Sequence, residues 1–225
     1  MPEQTHNYTD AQIVTMEGVE HIRRRPGMYI GRLGDGRNPG DGIYVLLKEI
    51  VDNSIDEFAM GYGKQIQITI EDNEVTVRDY GRGIPLDSVV KAVSILNTGG
   101  KFDDKAFKKS VGLNGVGTKA VNALSSSFYV CSYRNGETSW AKFERGELKD
   151  SGKGTSKEKN GTLVVFTPDS NMFGDYHYNM DYVESMVKNY SYLKKGLTLN
   201  FNGNLYKSAN GLLDLVNENL TEEPL

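Results

Sequence analysis

The sequence predicts an α+β fold, a two-layer sandwich in which a layer of helices covers one face of a mixed β-sheet. Two features of the chain support this prediction. Helix patterns with one apolar face occur at 43–59, 89–96 and 183–193, and strand patterns lie between them as a hairpin and a meander. Strict alternation of single strands with helices would instead favour a doubly wound parallel sheet. The chain of 225 residues is long enough for one large globular unit.

The N-terminal part of the chain leads from an arm into the longest helix pattern. Residues 1–15 are polar and aperiodic, which indicates an arm in front of a domain that spans 16–225. A short helix is predicted over 17–24, and a loop rich in Gly, Asp, Asn and Pro follows to Gly42. From Ile43 to Ala59 apolar residues recur at helical spacing, so an amphipathic helix is predicted that ends near Gly61.

The polar face of this long helix carries three side chains with useful chemistry. At 3.6 residues per turn, Glu49, Asn53 and Asp56 fall within an arc of roughly 60° opposite the apolar stripe. We therefore expect a carboxylate, an amide and a second carboxylate to point the same way.

A hairpin follows the long helix. Residues 65–71 alternate with a period of two, turn at Asp72-Asn73 and return over 75–78, so that Asp79 lies at the end of the hairpin. The later patterns are, in order, a helix over 89–96, a glycine-rich and charged lid over 97–117, a helix over 120–124, strands over 128–133, 138–143 and 162–167 with a polar loop over 146–161, a helix over 183–193, a strand over 197–201 and a closing helix over 212–220.

Composition excludes several classes of protein. No apolar run approaches the roughly 20 residues that a membrane span needs, and the N-terminus lacks the pattern of a secretory signal, so we expect a soluble protein without a membrane partner. The single cysteine, Cys131, cannot form an internal disulfide, which fits a cytoplasmic location. The net charge of −4 argues against an autonomous DNA-binding module that neutralises phosphates.

Glu49 is the candidate general base, since a carboxylate can position or deprotonate a water molecule. Asn53, one turn later, carries a neutral oxygen of the kind that Mg²⁺ accepts while it also binds phosphates, and Asn is an unfavourable residue in the middle of a helix. The alternative is that Glu49 is only a solvated acid on a helix surface.

The segment Asp79-Tyr-Gly81-Arg-Gly83 follows the hairpin directly. A carboxylate at this position could accept a hydrogen bond from the exocyclic amine of adenine, while the glycines allow the base to approach the backbone. The alternative is an ordinary glycine turn after a strand. Arg82 is expected to pair with Glu57 and to build a wall of the pocket.

Residues 112–119 form a glycine-rich turn that enters a helix, and this arrangement suits phosphate binding because N–H groups and a positive dipole end face the ligand. The segment satisfies neither the P-loop pattern nor the dinucleotide-binding pattern. Lys101 or Lys108 could add positive charge from the lid. Thr162, at the start of a strand, is a candidate hydroxyl near Asp79, and its alternative is an ordinary strand residue.

Five ordered motifs give the chain a specific resemblance. They are Arg25-Pro-Gly-Met-Tyr-Ile-Gly31, Glu49-Ile-Val-Asp-Asn-Ser-Ile-Asp-Glu57, Asp79-Tyr-Gly-Arg-Gly-Ile-Pro85, Gly99-Gly-Lys-Phe-Asp-Asp104 and Gly112-Leu-Asn-Gly-Val-Gly117. With them the chain resembles the Bergerat-fold (GHKL) ATPases, and within that superfamily the N-terminal ATPase domain of the B subunits of bacterial type IIA topoisomerases, which are gyrase and topoisomerase IV. MutL-like and chaperone ATPases remain the alternative within the fold, and they should lack the first and fourth motifs.

The resemblance implies an ATP site that needs Mg²⁺. Glu49 would activate water, Asn53 would hold the metal, and Asp79 would bind adenine. The full set of implied ATP-binding residues is Tyr8, Asn53, Asp79, Gly83, Ile84, Lys101, Gly112, Leu113, Asn114, Gly115, Val116, Gly117, Thr118 and Thr162, with pocket walls from Asp56, Glu57, Arg82 and Pro85. Val45 replaces a histidine that commonly orients the base, which puts the details of water activation in question. Asn114 in the phosphate loop and Phe107 in the lid also replace residues that are frequent in the family.

The resemblance also implies partners. ATP binding would close a homodimer through the N-terminal arm, the full-length protein would assemble with the topoisomerase A subunit into a heterotetramer that acts on DNA, and small-molecule inhibitors could occupy the ATP site. A transducer domain is expected beyond Leu225, so we expect a fragment that hydrolyses ATP slowly and mostly as a monomer. A rival of another class is a nucleotide-sensing or dimerisation module without catalysis.

Overall fold

A computed structural model of the protein describes residues 18–96 and 115–220. The predicted N-terminal arm lies outside these residues, as does most of the predicted lid. Within them, no helix is long and apolar enough to cross a membrane.

The described residues form eight helices and eight strands. The helices are α1 (Gly18–Arg24), α2 (Gly27–Ile30), α3 (Gly42–Ala59), α4 (Val89–Ser94), α5 (Gly117–Ala123), α6 (Ser170–Phe173), α7 (Met180–Leu193) and α8 (Leu212–Asn219), with a 3₁₀ turn at Leu86–Ser88. The strands are β1 (Gln65–Glu71), β2 (Glu74–Asp79), β3 (Ser125–Arg134), β4 (Glu137–Glu144), β5 (Glu147–Thr155), β6 (Gly161–Pro168), β7 (Thr198–Phe201) and β8 (Asn204–Tyr206).

The strands form one mixed sheet in the order β5-β4-β3-β6-β2-β1-β7-β8. Strand β1 pairs in parallel with β7, and every other neighbouring pair is antiparallel. The predicted α+β class with a mixed sheet is therefore confirmed. This order places β2, which ends at Asp79, beside β6, which begins at Gly161.

Helix α3 buries more than half of its residues. Its buried apolar side chains, which include Leu46, Leu47, Val51 and Ile55, belong to one core with the inward-facing residues of the sheet. Full burial of such a side chain contributes about 1.5–3 kcal/mol. The predicted helix is thus confirmed.

The prediction of a polar loop over 146–161 is wrong, because Glu147–Thr155 is strand β5. This strand pairs only with β4 and lies at the edge of the sheet, where nearly all of its residues are exposed. An edge strand without a buried face has no alternation of apolar and polar residues, so the pattern gave no signal. The short elements α2, α6 and β8 were also missed, since each is only three or four residues long.

Candidate active site

Two predicted motifs meet where α3 packs against the start of α5. The side-chain Nδ2 of Asn53 donates hydrogen bonds to Thr118 Oγ1 at 2.9 Å and to the backbone oxygen of Glu49 at 2.8 Å. A Cβ atom at Gly117 would overlap the carboxylate of Glu49. Only glycine permits this approach, so the candidate base lies directly against the first residue of α5.

The start of α5 presents backbone N–H groups rather than a capping side chain. The residue in front of the helix is Val116, which has no polar side-chain atom and makes no capping hydrogen bond. Gly115, just before it, has a φ of 58°, a left-handed conformation that favours glycine. The turn that enters α5 therefore has a left-handed glycine and a non-polar residue in front of the helix, beside the carboxylate of Glu49.

Asp79 is a buried carboxylate held by two backbone amides. Its Oδ1 accepts hydrogen bonds from the N–H of Gly81 at 2.8 Å and of Thr162 at 3.2 Å, and the residue is only 5% exposed. Its Oδ2 accepts no hydrogen bond from residues 18–96 or 115–220. One oxygen is thus fixed to the protein, while the other can accept a hydrogen bond from a ligand.

Burial controls the protonation of this aspartate. Loss of solvent raises the pKa of Asp79 from its ordinary value of 3.8 to about 6. The amides of Gly81 and Thr162 oppose this shift, the charge of Glu57 adds to it, and the charge of Arg78 opposes it. The carboxylate is therefore charged at neutral pH but titrates only slightly below it.

Arg82 and Glu57 form the predicted pair. The backbone N–H and Nε of Arg82 donate to Glu57 Oε2 at 2.9 and 3.0 Å, and Nη2 donates to Oε1 at 2.9 Å. The guanidinium also lies 4.5 Å from the centroid of the Tyr62 ring. Gly81 is required beside this pair, because a Cβ atom there would come within 2.8 Å of the side chain of Glu57.

The remaining turn residues are fixed by β3. Gly83 has a φ of 75°, and a Cβ atom on it would lie 2.8 Å from Ser132 Oγ. Ser132 donates a hydrogen bond to the backbone oxygen of Ile84 at 2.6 Å. Ile84 is half-buried against the core, whereas Pro85 is exposed.

A network that the sequence reasoning missed lies beside Glu49. Asp52 is 7% exposed and is held by Lys48 and by the hydroxyl of Tyr190. Burial raises the pKa of Tyr190 well above its ordinary value, and the nearby acids Asp52, Glu49 and Asp56 add to that rise. The spacing of Lys48 and Asp52, one helical turn apart, could have indicated part of this network.

Asp56 is fully buried, whereas Glu49 and Asn53 of the same predicted arc are partly exposed. Five predicted site residues lie outside the described part of the chain, and their contacts stay predictions. They are Tyr8, Lys101, Gly112, Leu113 and Asn114.

Comparison with known families shows the family of the chain. Residues 38–172 match the model of the family described as "Histidine kinase-, DNA gyrase B-, and HSP90-like ATPase". The chain belongs to this ATPase family. It thereby shares a family with proteins whose named members include gyrase B, in agreement with the resemblance carried by its motifs.

Two relatives are similar to nearly the whole of this chain. The chain is 54% identical over 221 residues to the DNA topoisomerase 4 B subunit of Borreliella burgdorferi, and the match covers 98% of this chain and 37% of that protein. It is 37% identical over 241 residues to the DNA gyrase B subunit of Mycoplasma genitalium, and the match covers 97% of this chain and 36% of that protein. The chain therefore spans little more than a third of the length of these relatives.

A solved structure has the same fold. The 43K ATPase domain of Thermus thermophilus gyrase B, crystallised in complex with an aminocoumarin, superposes with a TM-score of 0.73 at 29% identity. The match covers 92% of this chain and 56% of that one. The mixed sheet with its helix layer is thus the fold of a gyrase B ATPase domain.

Proposed function

We propose that this chain is the ATP-binding and ATP-hydrolysing domain from the B subunit of a type II DNA topoisomerase. One observation carries the proposal: Glu49 and Asn53 contact Gly117 and Thr118, so the candidate base lies at the candidate phosphate-binding turn. Family membership and the names of the relatives support the same reading.

Asp79 would recognise adenine. Its Oδ1 is engaged by two amides, which leaves Oδ2 to accept a hydrogen bond from the exocyclic amine of the base. Thr162 supports this end through its backbone N–H, and Gly83 and Ile84 form the adjacent turn. The pair of Glu57 with Arg82 would form the wall beside the base, together with the exposed Pro85.

Helix α3 spans the distance between the two ends of the proposed site. Glu57 contacts the turn that follows Asp79, and Glu49 contacts the start of α5. The two residues are eight positions apart, which corresponds to about 12 Å along the helix axis. This separation is comparable with the length of an extended nucleoside triphosphate, so one nucleotide could reach from Asp79 to Glu49.

At the reactive end, the backbone N–H groups of residues 115–118 would bind phosphate oxygens. The carboxylate of Glu49 would orient a water molecule and take its proton as the water attacks the terminal phosphorus, while the bond from that phosphorus to the β–γ bridging oxygen breaks and ADP leaves. Residues 112–114 and Lys101 are proposed to complete the phosphate contacts, and Tyr8 to reach the nucleotide of a partner protomer.

The donor chemistry near Asn53 fits Mg²⁺. With Nδ2 bonded to Thr118, the second polar atom of the side chain is a carbonyl oxygen, a ligand type that Mg²⁺ prefers. Residues 18–96 and 115–220 contain no cluster of three or more His, Cys, Asp or Glu that could hold a metal alone. We propose that the ion is held jointly by Asn53 and the phosphates, where it would neutralise phosphate charge.

The proposal extends to the partners of the whole protein. The longer polypeptide would dimerise through its arm when ATP binds, form a heterotetramer with the topoisomerase A subunit, and act on DNA, as the resemblance implies. The aminocoumarin complex of the Thermus thermophilus domain also supports the proposal that small-molecule inhibitors can occupy this site.

The substitution Glu49→Gln tests the proposed chemistry because it keeps the shape of the side chain and removes the base. We expect ATP hydrolysis to fall about 100-fold or more, while the affinity for a non-hydrolysable ATP analogue stays within about threefold. Glu71→Gln changes an exposed acid on β1 and serves as the matched control.

Single-turnover hydrolysis and calorimetric binding measure the two effects separately. Hydrolysis by Glu49→Gln at the wild-type rate would remove Glu49 from the mechanism. Wild-type protein that binds the analogue but never hydrolyses ATP would indicate a nucleotide-sensing module instead.

A further inference from the structure

Arg78 is a buried cation on the opposite side of the sheet from the proposed nucleotide pocket. Val75, Val77 and Asp79 alternate on β2 with Thr76 and Arg78, and the two valines belong to the core under the helices. Arg78 therefore points to the other face, yet it is only 7% exposed.

Two aromatic rings enclose its guanidinium. The carbon Cζ lies 4.6 Å from the ring centroid of Tyr80 and 4.7 Å from that of Tyr133. Tyr80 belongs to the turn after β2, and Tyr133 lies on β3. We call this arrangement of Arg78 between Tyr80 and Tyr133 the Arg78 stack. A cation between two rings in a desolvated position is held more firmly than one at an exposed site.

The Arg78 stack also joins the backbone segments that hold the adenine end. Nη1 of Arg78 donates to the backbone oxygen of Asp79, and Nη2 donates to the backbone oxygen of Lys159. A Cβ atom at Gly161 would overlap both the backbone oxygen of Asp79 and Nη1 of Arg78. Gly161 immediately precedes Thr162, whose N–H binds the Asp79 carboxylate.

We infer that Arg78 is a positioning residue for adenine recognition, which fixes Asp79 and the Thr162 amide relative to each other from the opposite face of the sheet. This inference rests on the proposed function, because it assumes that Asp79 binds the base. Arg78 does not touch the nucleotide in this arrangement. It acts through the two groups that do.

The charge of Arg78 affects the pH dependence of nucleotide binding, which a loss of packing alone would not change. Glu57 faces Asp79 from α3 and raises the pKa of its carboxyl, and Arg78 lowers it from the same strand, while β6 contributes the backbone amide of Thr162. Loss of the Arg78 charge would therefore raise the pKa of Asp79 further. Nucleotide binding, which needs the charged carboxylate, should then fail at a higher pH than in the wild type.

The test measures binding of a non-hydrolysable ATP analogue between pH 5.5 and 8 for Arg78→Met, Arg78→Lys and the wild type. We expect Arg78→Met to weaken binding about tenfold at pH 7.5, to shift the pH midpoint upward and to reduce the preference for ATP over GTP analogues. Arg78→Lys should restore the midpoint but only part of the affinity, because lysine keeps the charge and loses the planar fork.

Lys142→Met is the matched control, since it removes a cation 5.5 Å from the Trp140 ring, a contact that does not involve Asp79. It should leave affinity, midpoint and base preference unchanged. If Arg78→Met does not fold, Tyr133→Leu provides a second test. It keeps the positive charge and removes one ring, so affinity should fall without a change in midpoint.

Two outcomes would overturn the inference. In one, Arg78→Met binds with wild-type affinity and midpoint. In the other, it loses stability and affinity equally at every pH, which would indicate a purely structural role. Different results would contradict the proposed function itself. In that case the wild type would not bind the analogue, or Asp79→Asn would bind it with wild-type affinity.

Discussion

The substitution Asp79→Asn should stabilise the ligand-free domain and abolish its nucleotide binding. The structure holds this carboxylate in a buried position where its pKa is raised to about 6. A raised carboxyl pKa means that the folded state binds its proton more tightly than the unfolded state does. The free energy of unfolding therefore falls as pH rises from about 4 to about 6.

The size of the effect follows from the pKa. A rise from 3.8 to about 6 corresponds to about 3 kcal/mol at neutral pH. Asparagine stays neutral, and its Oδ1 can still accept from the amides of Gly81 and Thr162. We therefore expect a gain of at most about 3 kcal/mol, or about 6 to 12 °C in Tm for a domain of this size.

Thermal unfolding of both proteins from pH 4 to 7.5 measures this gain. The difference in Tm should be largest at pH 7.5 and should vanish near pH 4, where the wild-type carboxyl is also neutral. Calorimetry with an ATP analogue at pH 7.5 should show no binding to Asp79→Asn, since an amide –NH₂ would face the amine of the base. Asp72→Asn, at the exposed far end of the same hairpin, is the control.

Either of two results would contradict this prediction. Asp79→Asn could be less stable than the wild type at pH 7.5, which would mean that the charged form contributes to the fold. The difference in Tm could also be the same at pH 4 and pH 7.5, which would mean that protonation of Asp79 does not set the stability.

Two further substitutions test the contacts around the site. Gly117→Ala should strongly lower hydrolysis, because the added Cβ would displace the carboxylate of Glu49, and it should change the free energy of unfolding little, because that carboxylate is the flexible end of its side chain; wild-type turnover would contradict this close approach. Arg82→Met removes the two side-chain hydrogen bonds to Glu57 and should cost about 1–2 kcal/mol in urea unfolding, with weaker nucleotide binding; an unchanged denaturation curve would show that the pair is not coupled to the fold.

The central elements of the fold could be predicted because local pattern and tertiary burial agree there. Helix α3 has apolar residues at helical spacing, and the core encloses that side. The hairpin of β1 and β2 has alternating burial, and its turn residues Asp72 and Asn73 take the left-handed conformation that Asp and Asn tolerate. Strand β5 was not predicted, because it pairs with β4 through backbone hydrogen bonds and has no matching side-chain pattern.

The site was predictable in its residue types and only partly in its contacts. The sequence suggested that Glu57 pairs with Arg82, and the structure contains that pair. The contact of Glu49 with Gly117 joins residues far apart in the chain, and no local pattern specifies it. The same holds for the contact of Arg78 with Tyr133, which lies on another strand, whereas Tyr80 is only two residues away in the chain. Tertiary packing and sheet order bring the distant residues together.

The two outermost strands affect how copies of the protein can meet. Strand β8 has only three residues, and β5 carries Lys149, Asp150 and Lys153 along an exposed length, with Gly152 and Gly154 on either side of Lys153. Short or charged borders of a sheet are poor templates for an incoming strand, because charge and glycine disfavour regular pairing. Continuation of the sheet from one copy into the next is therefore disfavoured at both borders, and stable self-association is expected through other surfaces.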